Sequence, residues 1–182
     1  MPHEFRLLKP SELPTLVLLY QSAIRRMCEQ GIDQWDELYP DYDTLFLDIQ
    51  KKEMYGLFSE GRLVASVVLN EEQDEEYQGV PWQLRFDRIG VIHRLCVDAA
   101  QQGRGYARKI IMLAEQEFCR WGYECIRLDA FPQNTAAMRL YTSLGYCQCG
   151  SIRLRKGIFT CFEKALTDAQ AGEQERKTAY AE

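Results

Sequence analysis

Hydrophobic residues recur along the chain at two spacings, which alternate from one segment to the next. Alternating or continuously apolar runs of about four to eight residues predict strands, and apolar positions three or four residues apart predict helices. The first half of the chain predicts, in order, a strand over Glu4–Lys9, a helix from Pro10 to about Gly31, a helix over Tyr42–Lys51 and two strands over Met54–Ser59 and Leu63–Leu69. Turn residues between these two strands, Glu60-Gly61-Arg62, predict that they pair as an antiparallel hairpin.

The second half opens on five acidic residues among the six from Glu71 to Glu76, which predicts a solvated loop. After it, the order strand, helix, strand is typical of a β-α-β unit. The predicted elements are a strand over Gly90–Val97, a helix over Gly105–Trp121, a strand over Cys125–Ala130, a short helix over Asn134–Tyr141 and two strands over Tyr146–Gly150 and Gly157–Leu166. We expect one domain over residues 4–166 and a polar tail, frayed or weakly helical, over residues 167–182.

The composition is that of a globular protein. With 182 residues, 46% of them hydrophobic and 27% charged, the chain suffices for one domain with a sizeable core. A net charge of −5 argues against broad electrostatic contact with nucleic acid or with an anionic membrane. The apolar stretches are far shorter than the roughly 20 residues that span a bilayer, and the N-terminus shows no signal peptide. We therefore expect a cytoplasmic location.

Cysteine and histidine usage bears on metal binding and on redox state. The chain has seven cysteines and two histidines, with no Cys-x-x-Cys pair. An odd number of scattered cysteines in apolar surroundings predicts reduced, mostly buried thiols. The spacings do not suit a zinc site, so no metal is predicted.

A glycine-containing loop separates the strand that ends at Val97 from the next helix. Its residues are Gln101-Gln102-Gly103-Arg104-Gly105-Tyr106-Ala107-Arg108-Lys109. Backbone amides at such a helix start can hold phosphate oxygens. The loop is not a P-loop, because no Gly-Lys-Ser/Thr follows, and it is not a dinucleotide fingerprint, because Arg108 stands where a third glycine belongs. Taken alone, a single Gly-x-Gly favours a flexible helix start over a phosphate site.

Two blocks of sequence carry a family resemblance. The first is His93-Arg94-Leu95-Cys96-Val97 followed by Gln102-x-x-Gly105-x-Ala107. The second is Asn134-x-x-Ala137-x-x-x-Tyr141-x-x-x-Gly145-Tyr146. Together they resemble the GNAT superfamily of acyl-CoA-dependent N-acetyltransferases, and in element order the resemblance covers roughly residues 4–166.

The resemblance implies an α/β fold of the GNAT acyltransferase type. The fold is a twisted, mixed and splayed sheet of six to seven strands flanked by about four helices. It also implies acetyl-CoA as co-substrate, with its pantetheine arm between the strands Arg94–Val97 and Arg127–Ala130 and its pyrophosphate on the Gln102–Ala107 loop. The cofactor-binding residues so implied are Leu95, Cys96, Val97, Gln102, Gly103, Arg104, Gly105, Tyr106, Ala107 and Asn134. Arg108 would add charge beside the phosphates or lie solvated on the helix surface.

The chemistry needs an acid and a base. An alkylamine has a pKa near 10.4, so a base must deprotonate it, and the departing thiolate takes up a proton. Tyr141 aligns with the tyrosine that the family places near the cofactor sulfur, and it is the expected general acid. The candidate bases are Glu71, Glu72, His93 and Asp129, among which the sequence does not choose.

Substrate specificity is implied to come from the first two helices and from the loop after the third strand. There Asp33, Asp36 and the acidic run would attract a cation, with Trp35 or Trp82 as an apolar or cation-π wall. The alternative is that these tryptophans pack on the core and the acids are solvated.

The function expected from the sequence is transfer of an acetyl group from acetyl-CoA to a primary amine, on a small molecule or a peptide, by direct attack in a ternary complex. An acyl-cysteine route through Cys96 is disfavoured, because His93 lies three residues away and alternation places it on the opposite face. A catalytically silent acyl-CoA sensor is the main alternative, and a nucleotide-binding module is a weaker one. The sequence leaves open a homodimer that exchanges its last strand.

Overall fold

The predicted strands form one mixed sheet in the order β1-β2-β3-β4-β5-β7-β6. The computed structural model describes residues 3–166, so the predicted tail over residues 167–182 lies outside the described residues. The strands are β1 (His3–Leu7), β2 (Met54–Ser59), β3 (Arg62–Asn70), β4 (Ile89–Val97), β5 (Cys125–Ala130), β6 (Cys147–Leu154) and β7 (Gly157–Ala165). Neighbouring strands are antiparallel except β4 and β5, which are parallel.

Of the four α-helices within residues 3–166, two pack on one face of the sheet. The helices are α1 (Leu13–Glu29), α2 (Tyr42–Gln50), α3 (Tyr106–Arg120) and α4 (Thr135–Ser143). Leu16 of α1 and Leu45 of α2 are buried against Met54 and Val68 of the sheet. This first face is therefore covered by the helices that the resemblance connects with substrate specificity.

The other face carries α3 and α4. Ile110, Ala114 and Phe118 of α3 are buried against Val67 of β3. A Cβ atom at Gly90 would lie 2.3 Å from Cε1 of Phe118, so only glycine lets the helix approach β4 this closely. The last turns of α3 are thereby held close to the start of β4.

The sheet splits at its middle, between β4 and β5. These strands pair only over Ile89–Val91 with Cys125–Arg127. Beyond these residues β4 continues to Val97 beside β3 alone, and β5 continues to Ala130 beside β7 alone. The facing edges of the two strands are left without a strand partner, which confirms the splayed sheet.

A β-bulge lies in β4 where the strands separate. His93 pairs with Val68 and Cys96 pairs with Ser66, so three steps along β4 match two along β3. Arg94 in the bulge has a φ of +50°, and a bulge of this kind bends and twists its strand. Since Val68 and Ser66 share a face, so do His93 and Cys96. The expectation that these two side chains point to opposite faces was wrong, because strict alternation fails at a bulge.

The sequence predicted all seven strands and all four α-helices within a few residues, and two segments differ. β6 extends to Leu154 rather than Gly150, because its antiparallel pairing with β7 continues to a turn at residues 155–156. The acidic run does not stay a simple loop. It enters a 3₁₀ turn over Glu75–Gly79 that buries Tyr77, which is 2% exposed.

Within residues 3–166, no helix is both long and apolar enough to cross a bilayer. The same residues bring no three His, Cys, Asp or Glu side chains together as candidate metal ligands. All seven cysteines lie in this range, and all are free thiols.

Candidate active site

A cavity of about 940 Å³ opens where β4 and β5 separate. It extends from the loop before α3, past the inner side of α4, to the segment after α1 and the turn between β6 and β7. The predicted site residues that line it are Trp35, His93, Leu95, Cys96, Val97, Gln102, Gly103, Gly105, Tyr106, Ala107, Asp129, Asn134 and Tyr141. Most of the residues predicted from the two sequence blocks are therefore brought together around one space.

One end of the cavity is the start of α3. Gly103 and Gly105 have φ angles of +78° and +81°, in the left-handed region that favours glycine. The first helical hydrogen bond runs from Lys109 N to Gly105 O, so the four amides of residues 105–108 have no partner within the helix. A Cβ atom at either glycine would meet nothing within 4 Å. Unpaired amides that face open space fit a phosphate group.

The arginines near this loop differ in their surroundings. Arg108 lines the cavity and donates a hydrogen bond from Nη2 to Ser143 Oγ of α4 at 2.5 Å. Arg104 is exposed and does not line the cavity. Tyr106 is held by a hydrogen bond from its hydroxyl to Ser59 Oγ at 3.2 Å. Arg108 is thus fixed at the mouth of the cavity, as a phosphate contact would require.

The helix α4 supplies the middle of the cavity. Asn134 caps it, since its Oδ1 accepts from the Ala137 amide at 3.2 Å, while its Nδ2 donates to Gln34 Oε1 at 3.0 Å. Two turns later Tyr141 is 5% exposed, and its ring packs on Tyr146 and Phe162. Among residues 3–166 its hydroxyl has no hydrogen-bond partner. Burial raises the pKa of Tyr141 above its ordinary value, so the hydroxyl stays protonated at neutral pH.

Asp129 lies at the other end of the cavity, at the end of β5. Its Oδ1 accepts a hydrogen bond from the Tyr77 hydroxyl at 2.8 Å. Burial raises the pKa of Asp129 to about 6, partly offset by this hydrogen bond. Asp74 lines the same end, and burial raises its pKa too. Two carboxyl groups without a salt bridge among the described residues therefore face this part of the cavity.

His93 lines the cavity from β4. Its Nε2–H donates to the backbone carbonyl of Glu72 at 2.9 Å, which leaves Nδ1 without the proton in the neutral ring. Burial and, to a smaller extent, the neighbouring Arg94 guanidinium lower the pKa of His93 to about 4. The ring is therefore neutral at physiological pH and a weaker base than Asp129.

Arg94 fixes the bulge beside His93. Its guanidinium donates two hydrogen bonds to the buried carboxylate of Asp48, at 2.9 and 2.7 Å, and one to the Tyr39 hydroxyl at 2.8 Å. Its backbone carbonyl accepts from the Tyr20 hydroxyl at 2.5 Å. One residue thus connects β4 with α1, with α2 and with the segment between these helices.

Two acids that were expected to attract the substrate are engaged elsewhere. Asp36 accepts two hydrogen bonds from Arg155 and forms an ion pair with Lys156. Asp33 accepts a hydrogen bond from Lys156 at 2.6 Å. Arg155 and Lys156 lie in the turn between β6 and β7 and line the rim of the cavity. The charge of these acids is thereby compensated within the chain.

A model of the acetyltransferase (GNAT) family matches residues 19–146, which is more than half of the chain and includes both sequence blocks. The chain belongs to this family. It is accordingly a GNAT-type acetyltransferase, and acetyl-CoA, the predicted co-substrate, is confirmed at the level of the family. Among curated proteins, none matches.

Solved GNAT structures share the fold. A GNAT family acetyltransferase from Streptococcus agalactiae is 23% identical, over 90% of this chain and 95% of its own, with a TM-score of 0.80. YncA of Salmonella typhimurium, solved with its cofactor acetyl-CoA, is 17% identical, and the match covers 92% of this chain and 95% of YncA with a TM-score of 0.67. The ribosomal-protein-S18-alanine N-acetyltransferase of Escherichia coli is 17% identical, and the match covers 91% of this chain and 95% of that enzyme with a TM-score of 0.67.

In this GNAT protein, three predicted substrate residues do not line the cavity. Glu71 accepts a hydrogen bond from the Tyr123 hydroxyl, and Glu72 forms an ion pair with Lys51 at 2.7 Å. Trp82 packs against Tyr77 instead of forming a wall of the cavity. The structure therefore reduces the candidate bases within reach of the cavity to His93 and Asp129.

The buried thiol of Cys96 does not favour an acyl-cysteine route. Cys96 is 3% exposed, and burial raises its pKa well above the ordinary value. Although the bulge brings it to the same face as His93, no hydrogen bond joins the two side chains among residues 3–166, and the His93 ring is held by the Glu72 carbonyl through Nε2. Cys96 is therefore a neutral thiol without a base to activate it.

Sequence reasoning missed several residues of the site. The Arg94 guanidinium at the bulge donates a hydrogen bond to the Tyr39 hydroxyl. Gln34 accepts a hydrogen bond from Asn134, which lies 100 positions later in the chain. Asp74 was predicted only as one member of the acidic run, and Tyr77, which directly follows the run, was not predicted to contact Asp129. A weak signal for Tyr77 existed, because a tyrosine is buried more often than the acidic residues that precede it.

Proposed function

We propose that this acetyltransferase is an N-acetyltransferase that moves the acetyl group of acetyl-CoA to a primary amine by direct attack in a ternary complex. The observation that carries this proposal is that one cavity joins the free amides at the start of α3 to Tyr141 and Asp129. An activated acyl donor at one end and an amine at the other would meet beside both groups. Direct attack needs this arrangement, because donor and acceptor occupy the site together.

The residues at the start of α3 fit the cofactor. The amides of residues 105–108 would hold the pyrophosphate oxygens, and Arg108 would add its charge. The unpaired edges of β4 and β5 beyond Val91 would hydrogen-bond the amides of the pantetheine arm as an added strand would. Bound there, acetyl-CoA supplies a thioester whose carbonyl carbon is the electrophile.

Two side chains then move protons. The acceptor is an ammonium ion at neutral pH, so it gives one proton to the carboxylate of Asp129, whose Oδ2 has no partner among residues 3–166. As the nitrogen–carbon bond forms and the carbon–sulfur bond breaks, Tyr141 Oη gives its proton to the departing sulfur. The nitrogen's second proton restores the Tyr141 hydroxyl, and Asp129 releases its own proton to water.

The charges at the Asp129 end support a cationic acceptor. Asp74 and Asp129 are the carboxyl groups without a salt bridge there, and Trp35 offers an aromatic wall. An ammonium group would be attracted by both features. We propose a small amine or a peptide N-terminus as the acceptor class, to which the fold similarity with a ribosomal-protein-alanine acetyltransferase adds support.

Free thiol release tests the function. The protein is incubated with acetyl-CoA and with polyamines, amino acids, aminoglycosides and peptides with free N-termini, and the acetylated product is identified by mass spectrometry. Amine-dependent thiol release with at least one class is expected. Tight binding of acetyl-CoA without release for any amine would contradict the proposal and favour a silent sensor.

Replacing Gly105 by Val tests the cofactor site. We expect the affinity for acetyl-CoA to fall by more than about tenfold, because the branched side chain would occupy the open space at the helix start and would strain the left-handed backbone. Isothermal titration calorimetry measures the change.

Gly61→Val is the matched control. Gly61 has a φ of +75° and equally open surroundings, but it lies in the turn between β2 and β3 and does not line the cavity. It carries the same backbone strain and should bind acetyl-CoA normally. Equal affinity in both variants would mean that the pyrophosphate lies elsewhere.

A further inference from the structure

We propose that Tyr77 is a positioning residue for the base, a role that rests on the proposed function of Asp129. Its hydroxyl holds one oxygen of the Asp129 carboxylate, so that the other oxygen faces the amine. Tyr77 itself does not line the cavity and is not expected to touch either substrate. It would act on the reaction through Asp129 alone.

The contact is buried and specific. Tyr77 is 2% exposed, and its hydroxyl donates to Asp129 Oδ1 at 2.8 Å. Among residues 3–166 this is the hydrogen bond that the carboxylate accepts. A carboxylate with one anchored oxygen cannot rotate freely, so Oδ2 keeps one direction relative to the cavity.

Tyr77 is held in place by Trp82. The Trp82 Nε1–H donates to the Tyr77 carbonyl at 2.9 Å, and the two ring centroids lie 5.3 Å apart. The Arg127 guanidinium lies over the Trp82 ring, 4.2 Å from its centroid. The segment is also anchored to β7, because Glu163 accepts from the amides of residues 83 and 84 at 2.8 and 3.0 Å. Trp82 thus supports the site from behind the cavity.

The hydrogen bond also sets the charge state of Asp129. The titratable groups that face Asp129 are Tyr77 and Asp74 from the segment after β3, Cys161 from β7 and Tyr141 from α4, while His93 and Arg94 line the cavity from β4. Burial and Asp74 raise the pKa of Asp129, and the Tyr77 hydroxyl lowers it. A donor that stabilises the carboxylate keeps the base ionised near neutral pH.

Tyr77→Phe removes this donor and keeps the ring. The full-length variant is assayed with acetyl-CoA and the amine found in the screen, and kcat/KM for the amine is measured from pH 5 to 9. The acidic limb, expected near pH 6 in the parent protein from the pKa of Asp129, should move up by about one pH unit. At high pH the rate should return to within about threefold of the parent rate, because Asp129 is then ionised again.

Tyr123→Phe is the matched control, since Tyr123 also donates to a carboxylate, Glu71, but away from the cavity. The acidic limb in the pH profile of Tyr123→Phe should not move. If Tyr77→Phe fails to fold, Trp82→Phe replaces it. That variant keeps an aromatic ring but releases the Tyr77 carbonyl, and a smaller upward shift is expected.

An unmoved acidic limb in Tyr77→Phe, or in Trp82→Phe where that variant replaces it, would overturn the role of Tyr77. Failure of the proposed base is distinguishable, because Asp129→Asn would then keep full activity and its acidic limb.

Discussion

Replacing Asp129 by Asn is expected to lower kcat/KM for the amine by about 10²- to 10⁴-fold, the range typical of removing a general base. The amide keeps the shape of the side chain and can still accept from Tyr77, but it cannot take the proton of the ammonium group. The affinity for acetyl-CoA should not change, since Asp129 lies at the far end of the cavity from the start of α3. Steady-state kinetics at pH 8 and calorimetry measure the two effects.

Two controls separate lost chemistry from lost structure. The pKa of Asp129 is about 6 in the folded protein, against an ordinary value of 3.8, so ionisation of this carboxyl group destabilises the folded state. The free energy of unfolding therefore falls as the pH rises from 3.8 to about 6, and the full loss above pH 6 is on the order of 3 kcal/mol. Asp129→Asn should therefore unfold in urea at pH 8 no more easily than the parent protein.

His93→Gln keeps a donor for the Glu72 carbonyl and should lose less than about tenfold in rate. A large loss in His93→Gln with little loss in Asp129→Asn would assign the base to His93.

Tyr141→Phe is expected to lower kcat by about 10²-fold, at the lower end of the range for general acids, because a thiolate is a tolerable leaving group. The ring contacts with Tyr146 and Phe162 are kept, and only the hydroxyl that faces the cavity is lost. The affinity for acetyl-CoA should change little. The rate is measured in single turnovers, where the chemical step is observed directly.

Tyr146→Phe is the control for this variant. Tyr146 belongs to the same aromatic cluster and is equally buried, but it does not line the cavity. Its loss of a hydroxyl should leave the single-turnover rate within about threefold of the parent rate. An unchanged rate in Tyr141→Phe would exclude the acid role, and loss of acetyl-CoA binding would indicate a structural one.

The elements of this fold could be predicted because their patterns are local. The apolar positions of α1 and α3 recur at helical spacing, and the β2–β3 hairpin has its turn residues in place. The cofactor loop was found for the same reason, since its glycines and the helix that follows are contiguous in sequence. Local patterns decide helix starts, turns and strand faces.

The far end of the cavity depends on contacts between distant segments, which a single sequence does not contain. Asp33 and Asp36 looked free to attract a cation, but they meet basic residues some 120 positions later. Trp82 looked like a substrate wall, but its indole N–H binds a backbone carbonyl behind the cavity. The bulge at Arg94 is held by Asp48 and changed which side chains share a face. Each difference reflects tertiary pairing that overrides a local pattern.

The most direct test of acetyl transfer with Asp129 as the general base is the pH dependence of kcat/KM for the amine in the parent protein and in Asp129→Asn. Both should share a limb at high pH from ionisation of the amine itself. The parent protein should show a further acidic limb near pH 6, where Asp129 gains its proton and stops acting as a base, and Asp129→Asn should lack it. An acidic limb that persists at the same pH in Asp129→Asn would contradict the account.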